Sequence, residues 1–224
     1  KVAIDNITRF HEKQKPENYQ DINNGVKTDL VWKPLQSIGL YIPGGKAVYP
    51  SSLLMNVIPA KIAGVKRIVV VTPSKSNEIN PYILALLDLF SINEVYQLGG
   101  AHAIAALAYG TDTIKSVNKI FGPGNVYVSS AKKQVFGKVG IDLIAGPSEI
   151  VVVADKDNNP KWVASDLIAQ AEHDENTQSI LITDNKDFAD NVIFSIKELN
   201  KQLPRKQVIE NSLNKFGTII ITNN

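Results

Sequence analysis

The feature that most constrains this chain is an alternation. Short, nearly unbroken apolar runs rich in β-branched residues are separated by longer helical stretches. Strands are expected over residues 38–42, 67–71, 94–98, 119–121, 141–144, 150–154, 179–183 and 218–222. Helices are expected over 51–63, 77–90, 101–109, 126–136, 160–173, 186–200 and 205–215. A strand that is apolar at nearly every position is one buried on both faces, and parallel neighbours need a crossover, usually helical, to join them. The pattern therefore predicts an α/β protein built from parallel βαβ units with helices on both faces. Two-residue hairpin signals are nearly absent, which argues against an all-β fold. Ahead of the alternation, residues 2–13 can form an amphipathic helix with Ile4, Ile7 and Phe10-His11 about three apart, and 16–29 reads as an extended polar connector. Helix starts are marked by Asn158-Asn159-Pro160 and by Thr183-Asp184.

Composition narrows the function classes. A chain of 224 residues is one large or two small domains. Its 24 basic and 22 acidic residues give a net charge of +2, spread along the chain, so a nucleic-acid partner is not expected. The absence of cysteine excludes a disulfide scaffold, an iron–sulfur site, a thiolate zinc site and a cysteine nucleophile, and suits a reducing compartment. The longest apolar runs are strand-sized, far below the roughly 18 residues that span a bilayer, and Lys1–Asp5 has no signal-peptide core, so no membrane partner and a cytoplasmic location are expected. The chain opens on Lys1 rather than Met and is expected to lie inside a longer reading frame.

Chemistry would sit in four glycine turns: Tyr41-Ile42-Pro43-Gly44-Gly45, Leu98-Gly99-Gly100-Ala101-His102, Phe121-Gly122-Pro123-Gly124-Asn125 and Ala145-Gly146-Pro147-Ser148-Glu149. Open parallel sheets bind ligands at the carboxyl ends of their strands, where glycine lets backbone N–H groups approach a phosphate. Any one such turn is equally an ordinary βα connection, and none spells a dinucleotide fingerprint or a P-loop. Gln170 and His173, three apart at a helix end, can address one ion or one substrate, although a histidine there is also simply favoured by the helix dipole. His102 can act as an acid or base, bond a ligand, or merely begin a helix. His11 reads as a surface or packing residue. No Ser-His-Asp order surrounds Ser148, which disfavours a hydrolase triad.

The turns are more specific together. Gly39-Leu40-Tyr41-Ile42-Pro43-Gly44-Gly45, Pro59-Ala60-Lys61-Ile62-Ala63-Gly64, the run from Gly99 to Thr111, Lys119-Ile120-Phe121-Gly122-Pro123-Gly124-Asn125, Ala145-Gly146-Pro147-Ser148-Glu149 and the run from Ser165 to His173 occur in one order. This series resembles the histidinol dehydrogenase family through essentially the whole chain. The resemblance implies a zinc-dependent, two-step NAD-linked oxidation of L-histidinol, through histidinaldehyde, to L-histidine, the last step of histidine biosynthesis. It implies NAD contacts at Tyr41, His102 and Asn125, with His102 standing where the family more usually has glutamine. It further implies substrate contacts at Ser148, Gln170 and His173, and zinc ligation by Gln170 and His173. The implied fold is two Rossmann-like α/β/α units with mostly parallel, incomplete sheets. Residues 39–147 form an inserted NAD-side domain, and 1–38 with 148–224 form the other.

The family's catalytic Glu-His pair follows a Gly-Pro motif beyond residue 224, so no catalytic residue is assigned within this chain. Two further zinc ligands, an aspartate and a histidine from a partner subunit's tail, also lie beyond Asn224. The zinc site is thus expected to be incomplete, the isolated chain inactive, and the family's homodimer weakened without the exchanged tail. The alternatives are a non-catalytic remnant or binding module, and a relative that oxidises another small amino or hydroxy alcohol.

Overall fold

The protein is described by a computed structural model over residues 1–44, 49–74, 78–146 and 148–223; Gly45, Asn77 and Pro147 of the expected turns and helices lie outside the described residues. In chain order the elements are α1 (Val2–Glu12), β1 (Tyr19–Asn23), β2 (Val26–Leu30), β3 (Ser37–Tyr41), α2 (Pro50–Ile62), β4 (Arg67–Val71), α3 (Pro81–Leu89), β5 (Glu94–Tyr96), α4 (Gly100–Tyr109), β6 (Lys119–Phe121), α5 (Val126–Val135) and β7 (Gly140–Ile141). They continue with β8 (Glu149–Val153), α6 (Pro160–Ala171), β9 (Gln178–Thr183), α7 (Lys186–Asn200), α8 (Lys206–Phe216) and β10 (Thr218–Ile221). Two compact units result, Lys1–Ala145 and Gly146–Asn224.

Several helices begin where local chemistry dictates. Proline stands at the first position of α2, α3 and α6, where its missing N–H costs nothing. Asn80 caps α3 by accepting from the Tyr82 N–H, and Asn159 caps α6 by accepting from the Lys161 N–H. The cap of α7 is Asn185, accepting from the Phe188 N–H at 2.8 Å, rather than the expected Thr183-Asp184; Thr183 instead accepts from the Asn185 N–H. α1 forms over nearly the expected span and lies beside α2; Ile4, Ile7 and His11 of the expected stripe are half-buried and Phe10 is exposed.

The expected connector before the alternation is a hairpin. β1 and β2 pair antiparallel from Tyr19↔Leu30 to Asn23↔Val26 around Asn24-Gly25, whose φ angles of 49° and 78° suit a type I′ turn. The Asn-Gly pair was the hairpin signal; the polar composition of the flanking residues masked it, and both strands are exposed throughout.

The first unit carries a five-stranded sheet in the order β5-β4-β3-β6-β7, with every neighbour parallel. β3 is central and fully buried. Its side chains alternate, so Ile38 and Leu40 pack with Leu53, Val57, Ile83 and Leu87 of α2 and α3. Tyr41 packs on the other side with Leu107, Val128 and Val135 of α4 and α5. Gly39 is what allows α4 to lie so close, because a Cβ there would sit 2.7 Å from Leu107 Cδ1. This unit is a three-layer α/β/α sandwich.

The second unit has a three-stranded parallel sheet, β10-β9-β8. Here the expectation of helices on both faces fails among the described residues. α6, α7 and α8 gather on one face, where Val163, Leu167, Leu181, Phe188 and Val192 form the core with Ile150, Val152 and Ile219. Val151, Val153 and Ile220 point the other way and remain exposed, Val153 by 76%. An apolar strand sequence signals the capacity for two-sided burial and does not say which segment covers the second face.

Two measurements test this packing. Leu107→Ala is expected to destabilise the first unit by about 2–5 kcal/mol, read by urea denaturation followed by circular dichroism. At the amino-terminal edge of its sheet, Arg67 bonds both carboxylate oxygens of Glu94 at 2.8 Å and the carbonyls of Lys115 and Ser116. The hydrogen bond from Arg67 holds the Glu94 carboxyl below its ordinary range, with partial burial opposing it. A lowered carboxylate pKa stabilises the fold fully above the ordinary glutamate value of about 4.3, and the contribution is lost as pH falls through the lower folded value. The stability gap between wild type and Arg67→Met should be constant near neutrality and narrow only below that pH.

Candidate functional site

In the first unit the chain leaves β3 through α2 on one face and leaves β6 through α5 on the other, although β3 and β6 are neighbours. The strand order therefore reverses between them, and their carboxyl ends flank the crevice in which open α/β sheets hold ligands. Tyr41 is the last residue of β3, and Phe121-Gly122-Pro123-Gly124-Asn125 follows β6 into α5. His102 lies in the first turn of α4, which starts after β5 on the same edge. Tyr41, His102 and Asn125 are thus brought to one edge of one sheet.

Their individual states differ. Tyr41 is 4% exposed; its hydroxyl accepts from the Gly100 N–H at 3.2 Å and keeps its own proton to donate. Asn125 is exposed and caps α5, its Oδ1 accepting from the N–H groups of Tyr127 and Val128 at 3.1 and 3.2 Å. That leaves the Asn125 Nδ2 group to donate outward. His102 is exposed. The N-termini of α4 and α5 both open on this edge, and helix N-termini favour anions.

Gly122 seats the β6 turn on β3. It has φ +113°, and a Cβ there would lie 2.1 Å from the Tyr41 carbonyl oxygen. Both of its backbone polar groups are held by a partly buried ion pair that sequence reasoning missed. Lys132 Nζ donates to the Gly122 carbonyl and to Asp142 Oδ1, each at 2.6 Å, while Asp142 Oδ2 accepts from the Gly122 N–H at 2.8 Å. The Lys132 side chain is only 4% exposed. Its signal was available: Lys132 falls on the buried stripe of α5 with Val128, Ala131 and Val135.

In the second unit Ser148, Gln170 and His173 lie at the opposite, amino-terminal edge of the sheet. Ser148 is exposed immediately before β8, and its carbonyl accepts from the Gln178 N–H that begins β9. α6 runs back from the carboxyl edge and ends at Ala171, two residues short of the expected His173. The His173 N–H still reaches the Gln170 carbonyl at 3.1 Å, a tightened final turn. Buried Thr177 and Ser212 hold this turn: Thr177 Oγ1 donates to Gln170 O or Asp174 O and lies 2.9 Å from Ser212 Oγ. Gln170 is half-buried and His173 exposed. A polar recess of about 430 Å³ beside the turn is lined by Glu175, Asn176, Asn211, Asn214 and Lys215, and by none of the three expected site residues. Among the described residues no group of three or more His, Asp or Glu side chains could hold a metal ion.

The first unit is thus a doubly wound α/β fold whose strand order reverses between β3 and β6, the place where such sheets hold ligands. The histidinol dehydrogenase family model matches residues 1–224. Histidinol dehydrogenase 1 of Nostoc sp. is 54% identical over 98% of this chain and 51% of its own length; the histidinol dehydrogenase of Rhizobium meliloti is 52% identical over 99% and 51%. The crystal structure of histidinol dehydrogenase from Elizabethkingia anophelis superposes with a TM-score of 0.92 at 40% identity, covering 99% of this chain and 52% of that one. The chain belongs to the histidinol dehydrogenase family, a family of oxidoreductases, and spans about half the length of the relatives it matches.

Replacing Gly122 tests the seating of the turn. Gly122→Ala combines a strained backbone with a clash and should cost about 1–3 kcal/mol of stability, measured by urea denaturation.

Proposed function

We propose that this chain carries the dinucleotide-binding unit and part of the substrate site of a histidinol dehydrogenase, which oxidises L-histidinol to L-histidine in two NAD-linked steps. The observation that carries this reading is the family match over residues 1–224 together with the gathering of Tyr41, His102 and Asn125 at the crevice of the first unit. Residues 39–147 are the NAD-side domain in this reading. The Asn125 amide and the Tyr41 hydroxyl donate to the bound dinucleotide, and His102 gives or takes one hydrogen bond. NAD, when bound, supplies the hydride acceptor.

Ser148, Gln170 and His173 then meet the substrate. The partial negative charge at the carboxyl end of α6 favours a cation beside Gln170 and His173, which suits an amino alcohol or a metal ion. For zinc the fit is incomplete. A tetrahedral shell needs four ligands, these two residues supply two, and glutamine is an uncommon donor. No step is assigned to zinc on these residues alone. The partners in this reading are the small substrate and, as in the family, a second subunit; the location is cytoplasmic, and no described helix is long and apolar enough to cross a membrane.

No Gly-Pro-Glu-His segment occurs in the 224 residues, so a general base of the family type is not among them. The chain mixed with L-histidinol and NAD is expected to form no NADH, while calorimetry registers saturable NAD binding. NADH formation would overturn the expected inactivity, and a folded chain that ignores NAD would overturn the dinucleotide reading. After dialysis, metal analysis should find well under one zinc per chain. Stoichiometric zinc would mean that other residues of this chain complete the shell.

A further inference from the structure

We propose that Lys132 and Asp142 are positioning residues for the dinucleotide: their ion pair grips the Gly122 peptide and fixes the angle at which residues 122–125 meet the ligand. The proposal rests on the dinucleotide reading above and adds to it two residues that touch no ligand themselves. Three elements converge on the pair. Lys132 belongs to α5, Asp142 directly follows β7, and Gly122 directly follows β6. A helical side chain leans toward the helix N-terminus, which is how Lys132 reaches back along α5 to the Gly122 carbonyl.

The Asp142 carboxylate is used on both oxygens. Oδ1 accepts from Lys132 Nζ and from the Leu143 N–H, and Oδ2 accepts from the Gly122 N–H. Gly122 therefore has its donor and its acceptor fixed by one pair, and any Cβ at this position would collide with the Tyr41 carbonyl. Three residues later Asn125 caps α5 through its Oδ1, and its Nδ2 has no partner among the described residues. An ammonium 2.6 Å from a carboxylate presents little net charge to a phosphate, so the pair acts on the ligand through the geometry of the turn rather than through attraction. Taking either partner away leaves a buried or half-buried charge without its mate, and the turn must move to satisfy it.

NADH titration of the purified 224-residue chain, followed by the coenzyme's fluorescence, tests this alongside far-ultraviolet circular dichroism and thermal unfolding. Lys132→Met and Asp142→Asn are expected to stay folded and to bind NADH about tenfold more weakly or worse. Arg67→Met, which breaks an ion pair at the opposite edge of the same sheet, should lower the unfolding temperature and leave NADH affinity at the wild-type value. If Lys132→Met does not fold, the nearly isosteric Asp142→Asn decides the outcome. Clamp variants that bind as tightly as the wild type would overturn the proposal, as would an Arg67→Met that loses as much affinity as they do. A folded wild-type chain that takes up no NADH would overturn the dinucleotide reading and the positioning role with it.

Discussion

The parallel pairing of β3 with β4 on one side and β6 on the other is the constraint on which the first unit depends. Parallel neighbours cannot be joined by a tight turn, so each must be reached by a helix crossing one face. Because α2 and α3 take one face and α4 and α5 the other, the connections that leave β3 and β6 turn to opposite faces at the carboxyl edge, the place where open α/β sheets hold ligands. Small residues let the layers approach. Gly39 admits Leu107 against the central strand, and Gly122 lets the β6 turn rest on the end of β3. The Lys132–Asp142 pair then closes the arrangement from β7 and α5.

The candidate residues of the two units lie at opposite ends of their secondary structure, and the difference is electrostatic. In the first unit the candidate residues sit where the N-termini of α4 and α5 open, an environment suited to the phosphates of a dinucleotide. In the second unit Gln170 and His173 sit at the carboxyl end of α6, an environment suited to a cation. Strand ends alone would have directed attention to the carboxyl edge of both sheets. The backbone of α6 brings its last turn to the other edge, and Thr177 with Ser212 fixes it there.

Much of this was legible from residue order. The alternation of apolar runs and helices located the elements of both sheets, and the combined turn motifs pointed to the family. What escaped was what depends on partners distant in sequence. β7 is only Gly140–Ile141 because its pairing with β6 ends there, although apolar Leu143 and Ile144 follow beyond Asp142. Val151 and Val153 read as core yet are exposed, since strand hydrophobicity does not name the covering layer. The role of Lys132 depends on Gly122 and Asp142, ten residues away in either direction, and no local pattern brings them to its ammonium. The Asn24-Gly25 turn was a local signal outweighed by the polarity around it.

The most direct test of the dinucleotide crevice is amide chemical-shift mapping on the isotopically labelled chain during addition of NAD. The expected result is that perturbations concentrate at Gly100–His102 and Gly122–Asn125, the edge where β3 and β6 diverge. Perturbations centred instead on Arg67, Glu94 and Ser116 at the amino-terminal edge, or a spectrum that NAD leaves unchanged, would contradict it.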